Sequence, residues 1–133
     1  MEEGKIQVFI ISQQSLFRQG IQLSLSEAAD IQVLSAAAID EGILSQIDTL
    51  PPDVILIDID GSPDQGLTLA RKIKQHSPSI AIVMLSSNPS DEQLFQVLKA
   101  QAAAYLSKEV TAEQLIDAIK RVAHGEHPIN ESL

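Results

Sequence analysis

Five short runs of branched aliphatic residues recur along the chain: Lys5 to Ile11, Ile31 to Ser35, Asp53 to Asp58, Ile80 to Ser86, and a weaker Ala102 to Leu106. Runs of this length and composition predict strands. Val54 to Ile57 and Ile80 to Leu85 show no polar alternation, the pattern of strands covered on both faces of a parallel sheet. Between the runs, apolar residues fall at helical spacing: Leu16, Phe17, Gly20, Ile21 and Leu25; Ile39, Ile43 and Ile47; Leu67, Ala70 and Ile73; Leu94, Val97 and Leu98; Leu115, Ile119 and Val122. These predict five helices. Ser90-Asp91-Glu92-Gln93 and Thr111-Ala112-Glu113-Gln114 read as capping boxes, in which hydroxyl and amide satisfy each other's free backbone N–H groups. Pro51-Pro52, Ser77-Pro78 and Asn88-Pro89 mark turns. Five successive strand–helix units predict an α/β domain with a doubly wound parallel sheet, whose ligand site lies at the carboxyl ends of the strands. The chemistry is therefore expected at residues 11–15, 58–61, 86–88 and 107–109.

At 133 residues and 44% hydrophobic composition, the chain suffices for one domain with a real core. No apolar run approaches the roughly 20 residues of a membrane span, and the start Met1-Glu2-Glu3-Gly4-Lys5 does not resemble a secretion signal. A soluble, cytoplasmic domain without membrane contact is expected. The absence of cysteine and the scattering of His76, His124 and His127 exclude thiolate chemistry and leave no histidine cluster, so any metal must be held by oxygen. A formal charge of −9 repels nucleic acid. DNA is expected to be reached only through another domain.

Three strand ends carry chemistry. The third strand closes on Asp58, the fourth on Ser86, and Lys108 follows the fifth. Singly, an Asp or Ser there is an ordinary turn or cap former. Together they fit an acyl-phosphate site: the carboxylate attacks phosphorus, the hydroxyl bonds a phosphoryl oxygen, and the ammonium offsets the charge that accumulates.

The segments Pro52-Asp53-Val54-Ile55-Leu56-Ile57-Asp58-Ile59, Met84-Leu85-Ser86 and Ala103-Ala104-Tyr105-Leu106-Ser107-Lys108 resemble the receiver domains of bacterial two-component response regulators. The resemblance spans nearly the whole chain. With Leu16-Phe17-Arg18-Gln19-Gly20, it points to the LuxR/NarL-type subgroup, in which a helix-turn-helix domain follows the receiver. It implies the flavodoxin-like, CheY-like (βα)5 fold. It also implies that Asp58 accepts a phosphoryl group from a histidine kinase, that Ser86 and Lys108 contact that group, and that Tyr105 is the aromatic whose rotation reports phosphorylation. Residues 1–125 would be the receiver, with 126–133 starting a linker toward a DNA-binding domain.

One part of the family pattern is missing. Where the family carries two adjacent acidic residues for Mg²⁺, this chain has Ser12 and Gln13, leaving Asp58 and Asp60 to hold the ion. Mg²⁺ prefers carboxylate oxygens, so its binding is expected to be weak and metal-dependent phosphorylation impaired. An alternative is an ordinary phosphorylated receiver with an unusual metal loop. A second is a haloacid-dehalogenase-like phosphatase, because Asp58-Ile59-Asp60-Gly61-Ser62 resembles its first motif, with Asp58 the nucleophile and Asp60 the general acid/base. A third is a pure interaction module on the same fold. A non-enzymatic role is expected. Lys108 is expected to lie near Asp58 without phosphate. A weak homodimer is also expected, because the stripe Leu115, Ile116, Ala118, Ile119, Val122 and Ala123 is wider than one core face requires.

Overall fold

Each apolar strand sends alternate side chains to opposite faces, and the computed structural model, which describes residues 4–40 and 42–132, resolves the two resulting cores. Chain order is β1 (Ile6–Ile11), α1 (Ser15–Ser26), β2 (Ile31–Ala37), α2 (Ile43–Thr49), β3 (Val54–Asp58), α3 (Pro63–His76), β4 (Ala81–Ser86), α4 (Asp91–Lys99), β5 (Ala104–Ser107) and α5 (Ala112–Ala123). On one face Phe9, Ile11, Ile55, Ile57, Ile82 and Met84 pack under α2, α3 and α4. On the other, Val8, Ile10, Val54, Leu56, Val83 and Leu85 pack under α1 and α5. Two-sided burial accounts for the missing polar alternation in the sequence.

The sheet is parallel in the order β2-β1-β3-β4-β5. The chain winds outward from β1 to β2, then crosses to β3 and proceeds the other way, so the crevice at the β1 and β3 ends is the switch point. In register, Ile11 pairs with Ile57 and Asp58 with Leu85. Ser12 thereby follows β1 beside the end of β3. The turn after β3 uses Gly61 at φ 83, a conformation glycine adopts without steric cost. Gly66 has a different reason to be glycine: a Cβ there would meet Cγ2 of Ile59 at 2.6 Å.

The elements expected from sequence are present, with several differences, among them a second strand that runs two residues further, to Ala37. Ile39 precedes α2 instead of joining it, because the Asp40 side chain accepts the Gly42 amide at 2.7 Å and forms a turn before Ile43. The fifth strand starts at Ala104, two residues later than expected. The Thr111 box forms in full, whereas only the hydroxyl half of the Ser90 box forms, since Gln93 turns its side chain to Tyr105. In the α5 stripe, Leu115, Ala118, Ile119 and Val122 are buried, and Ile116 and Ala123 pack against the same core. That stripe serves its own domain. The large apolar side chains left in solvent include Leu16 and Leu23 of α1, 82% and 68% exposed.

Gly125, at φ 89, ends α5 after the cap at His124. Beyond it, where the sequence placed the start of a linker, Pro128–Ser132 form a 3-10 turn. Ile129 is 2% exposed, and its amide donates to the Ala103 carbonyl at 2.9 Å. Burial of such a side chain contributes about 1.5–3 kcal/mol toward holding the segment against the sheet.

Candidate functional site

Asp58 ends a wholly buried strand, and its carboxylate would be unpaired there without donors brought from other elements. Three converge. The Ser12 hydroxyl donates to Oδ2 at 2.7 Å, the Lys108 ammonium to the same oxygen at 2.6 Å, and the Asp60 amide to Oδ1 at 2.9 Å. The side chains of Lys108 and Asp58 are only 10% and 1% exposed, so solvent screens this pair far less than a surface ion pair. The expected proximity of Lys108 to Asp58 is met.

Lys108 is shared. Its Nζ also lies 2.8 Å from Asp60 Oδ2, donates to Gln14 Oε1 at 2.7 Å, and sits 4.1 Å from the centroid of the Phe17 ring. Asp60 in turn accepts the Ser87 amide, at 3.0 Å on Oδ1 and 3.2 Å on Oδ2, and the Ser87 hydroxyl. Burial pushes the Asp60 carboxyl up, but the hydrogen bonds from Lys108 and Ser87 outweigh it and hold it below the usual carboxylate range.

The other residues singled out in the sequence are placed unevenly. Ser86 is buried at the end of β4, where its hydroxyl accepts the Asn88 amide at 3.1 Å. Tyr105 is half-buried, donates to the Gln93 side chain, and receives the Ser90 amide at 3.3 Å. Burial raises its phenol above the ordinary value, and the charge of Asp60 adds to this against the hydrogen bonds at Ser90 and Ser86. Gln13 leaves the pocket: its Oε1 accepts the Ile39 amide at 2.7 Å. Ser12 is fully buried, with its carbonyl held by Arg18 at 2.5 Å.

The donor set does not fit Mg²⁺. All four carboxylate oxygens of Asp58 and Asp60 already accept hydrogen bonds. The ammonium of Lys108 lies between the two groups, where a cation would have to enter. Ser12 spends its proton on Asp58, and Gln13 faces away. Among the described residues no group of three His, Asp or Glu side chains is placed to hold a metal.

Gln14 and Ser87 lie in the stretches where sequence placed the chemistry but were not singled out, and Phe17 lies outside them. Ser87 acts largely through its amide, which no residue pattern advertises. Gln14 and Phe17 join because Lys108 reaches across from the β5 end, a contact between residues distant in sequence.

The geometry agrees with what the chain is similar to. The response regulator receiver domain family matches residues 8–120. The transcriptional regulatory protein DegU of Brevibacillus brevis is 34% identical over 94% of this chain and 53% of its own length. The response regulator protein VraR of Staphylococcus aureus is 29% identical over 91% of this chain and 58% of its own. This chain thus spans little more than half the length of these relatives. The signal receiver domain of NarL from Mycobacterium tuberculosis superposes with a TM-score of 0.82 at 25% identity, covering 92% of this chain and 98% of that one. A LuxR-family response regulator from Aurantimonas sp. SI85-9A1 shares the fold, with a TM-score of 0.83 at 18% identity, 92% of this chain and 88% of that one covered. The phosphatase alternative is not favoured. With its acidic residue at the central strand end, its serine and lysine at the two strands beyond, and this sheet order, the chain belongs to the response regulator receiver domains, of the LuxR/NarL type.

Proposed function

We propose that this receiver occupies the regulatory end of a transcription regulator and that its Asp58 site is neutralised internally, so that Mg²⁺-dependent phosphorylation is impaired. Residues 126–133 then lead toward a helix-turn-helix domain, through which alone DNA is contacted, and a histidine kinase or other upstream regulator is the partner. The name of the DegU relative, a transcriptional regulatory protein, and the extent of that protein beyond the matched region support the first part. One observation carries the second: every oxygen of Asp58 and Asp60 is already satisfied, with Lys108 as the counter-ion. Phosphoryl transfer to a carboxylate brings two anions together, and Mg²⁺ ordinarily offsets that charge in receivers. Here Lys108 is committed to two carboxylates at once.

Thermal melts with about 1 mM Mg²⁺ and with chelator should differ by no more than about 2 °C, the shift that a millimolar Kd allows. A ligand at a hundredfold its Kd adds about 2.7 kcal/mol, a rise on the order of 10 °C for a domain of this size. Such a rise would contradict internal neutralisation.

In the same reading the domain forms a weak homodimer through α1 and not through the α5 stripe. Leu16 and Leu23 are exposed on α1, and the one charge on that helix, Arg18, is turned to the Ser12 carbonyl. An uncharged apolar face suits a second copy of a chain carrying −9. Sedimentation should show mass rising with concentration in the wild type, and Leu16→Glu with Leu23→Glu should abolish the rise. A concentration-independent monomer would refute it.

A further inference from the structure

Asp60 makes more contacts than an exposed turn carboxylate needs. Its oxygens collect the Lys108 ammonium from the loop after β5, and the amide and hydroxyl of Ser87 from the loop after β4. A charged N–H, a backbone N–H and an O–H closing on one anion make up the chemistry of an oxyanion site. An exposed ion pair is worth little, but the side chains of Lys108 and Asp60 are 10% and 17% exposed, and the other two donors, both of Ser87, come from a separate loop.

We infer that Asp60 is a built-in anion filling a donor site made by Lys108 and Ser87, and that it holds the β4–α4 loop against the strand ends with no added ligand. The consequence runs along the loop. Ser87 is fixed by Asp60, and the Asn88 amide is tied to Ser86. Ser90 caps α4 through its hydroxyl, 3.1 Å from the Gln93 amide, while its own amide meets the Tyr105 hydroxyl. Tyr105 closes the circuit on the Gln93 side chain. The start of α4 and the Tyr105 ring are thereby set by a carboxylate of the chain itself. This rests on the reading of Asp58 as internally neutralised and supplies its regulatory counterpart: the loop is closed whether or not Asp58 is modified.

The vacated site should accept a small tetrahedral oxyanion, for which sulfate is the probe. In the full chain labelled with ¹⁵N, sulfate should leave the Ser87 amide resonance unmoved in the wild type. In Asp60→Ala the Ser87 and Ser90 amides and the Tyr105 ring resonances should shift. Sulfate should then bind saturably, at least about tenfold tighter than to the wild type, the scale of one charge-assisted hydrogen bond, and return those resonances toward their original positions. Asp60→Asn keeps the shape and removes the charge, and should move Ser87 in the same direction. Unshifted Ser87 and Tyr105 signals in both variants, or equal sulfate binding by wild type and Asp60→Ala, would overturn the inference. Acyl-phosphate formation on wild-type Asp58 would instead defeat the reading it rests on, so the two failures are distinct.

Discussion

Changing Ser12→Asp and Gln13→Asp together is expected to create a Mg²⁺ site and to cost the metal-free domain about 3–5 kcal/mol, the scale of a buried charge left without its partner. Ser12 is fully buried, and its hydroxyl donates to Asp58 at 2.7 Å. A carboxylate there replaces a donor by an anion facing an anion, with Lys108 already shared between Asp58 and Asp60. The second change also releases the Ile39 amide from Gln13. Mg²⁺ reverses the sign of the problem, because three or four carboxylates then surround a divalent ion. Urea denaturation in chelator should show the loss, and Mg²⁺ should restore it in the double variant. Calorimetry should find wild-type binding at millimolar Kd or weaker, no more than about 4 kcal/mol. Equal stability of the two proteins without metal would show that the pocket tolerates the added charge.

Lys108→Ala is expected to destabilise the domain by about 3–5 kcal/mol, since it strands Asp58 inside the protein rather than removing a surface contact. The side chain of Asp58 is 1% exposed, and after the change only the Ser12 hydroxyl and the Asp60 amide face it. Loss of the contact with Phe17 contributes on the order of 0.5–2 kcal/mol of this. Adding Asp58→Asn to the Lys108→Ala background should recover part of the loss, because charge and counter-charge are then both absent. Such non-additivity is the signature of direct coupling. A loss below about 1 kcal/mol, the value typical of exposed pairs, would place Lys108 in solvent and not between two carboxylates.

The architecture was legible because its strands are unbroken aliphatic runs and its helices keep one apolar face each. Boundaries moved where a side chain competed locally, as Asp40 does ahead of α2 and Gln93 does in leaving its capping box. The α5 stripe misled for a related reason. Spacing shows that six positions are apolar but not how far the sheet and α1 wrap around them: the core buries four, and Ile116 and Ala123 pack against it partly buried. At the site, the residues that the strand ends carry were readable, whereas the use made of them was not. Nothing in Ser12-Gln13-Gln14 indicates that the first donates to Asp58, the second turns to Ile39 and the third reaches Lys108. Those outcomes depend on which long-range partner each side chain finds after the sheet has assembled.

In the proposed reading, Ser12, Gln13 and Lys108 together close Asp58 to metal-dependent phosphoryl transfer. That closure is tested most directly by intact-mass measurement of acyl-phosphate after wild type and the Ser12→Asp, Gln13→Asp variant are incubated side by side with Mg²⁺ and a small acyl phosphate donor. The double variant should take up one phosphoryl group, lost when Asp58 is changed to Asn, while the wild type remains largely unmodified. Uptake by the wild type at the rate of the double variant would contradict the account and make this receiver an ordinary phosphorylated switch with an unusual loop after β1.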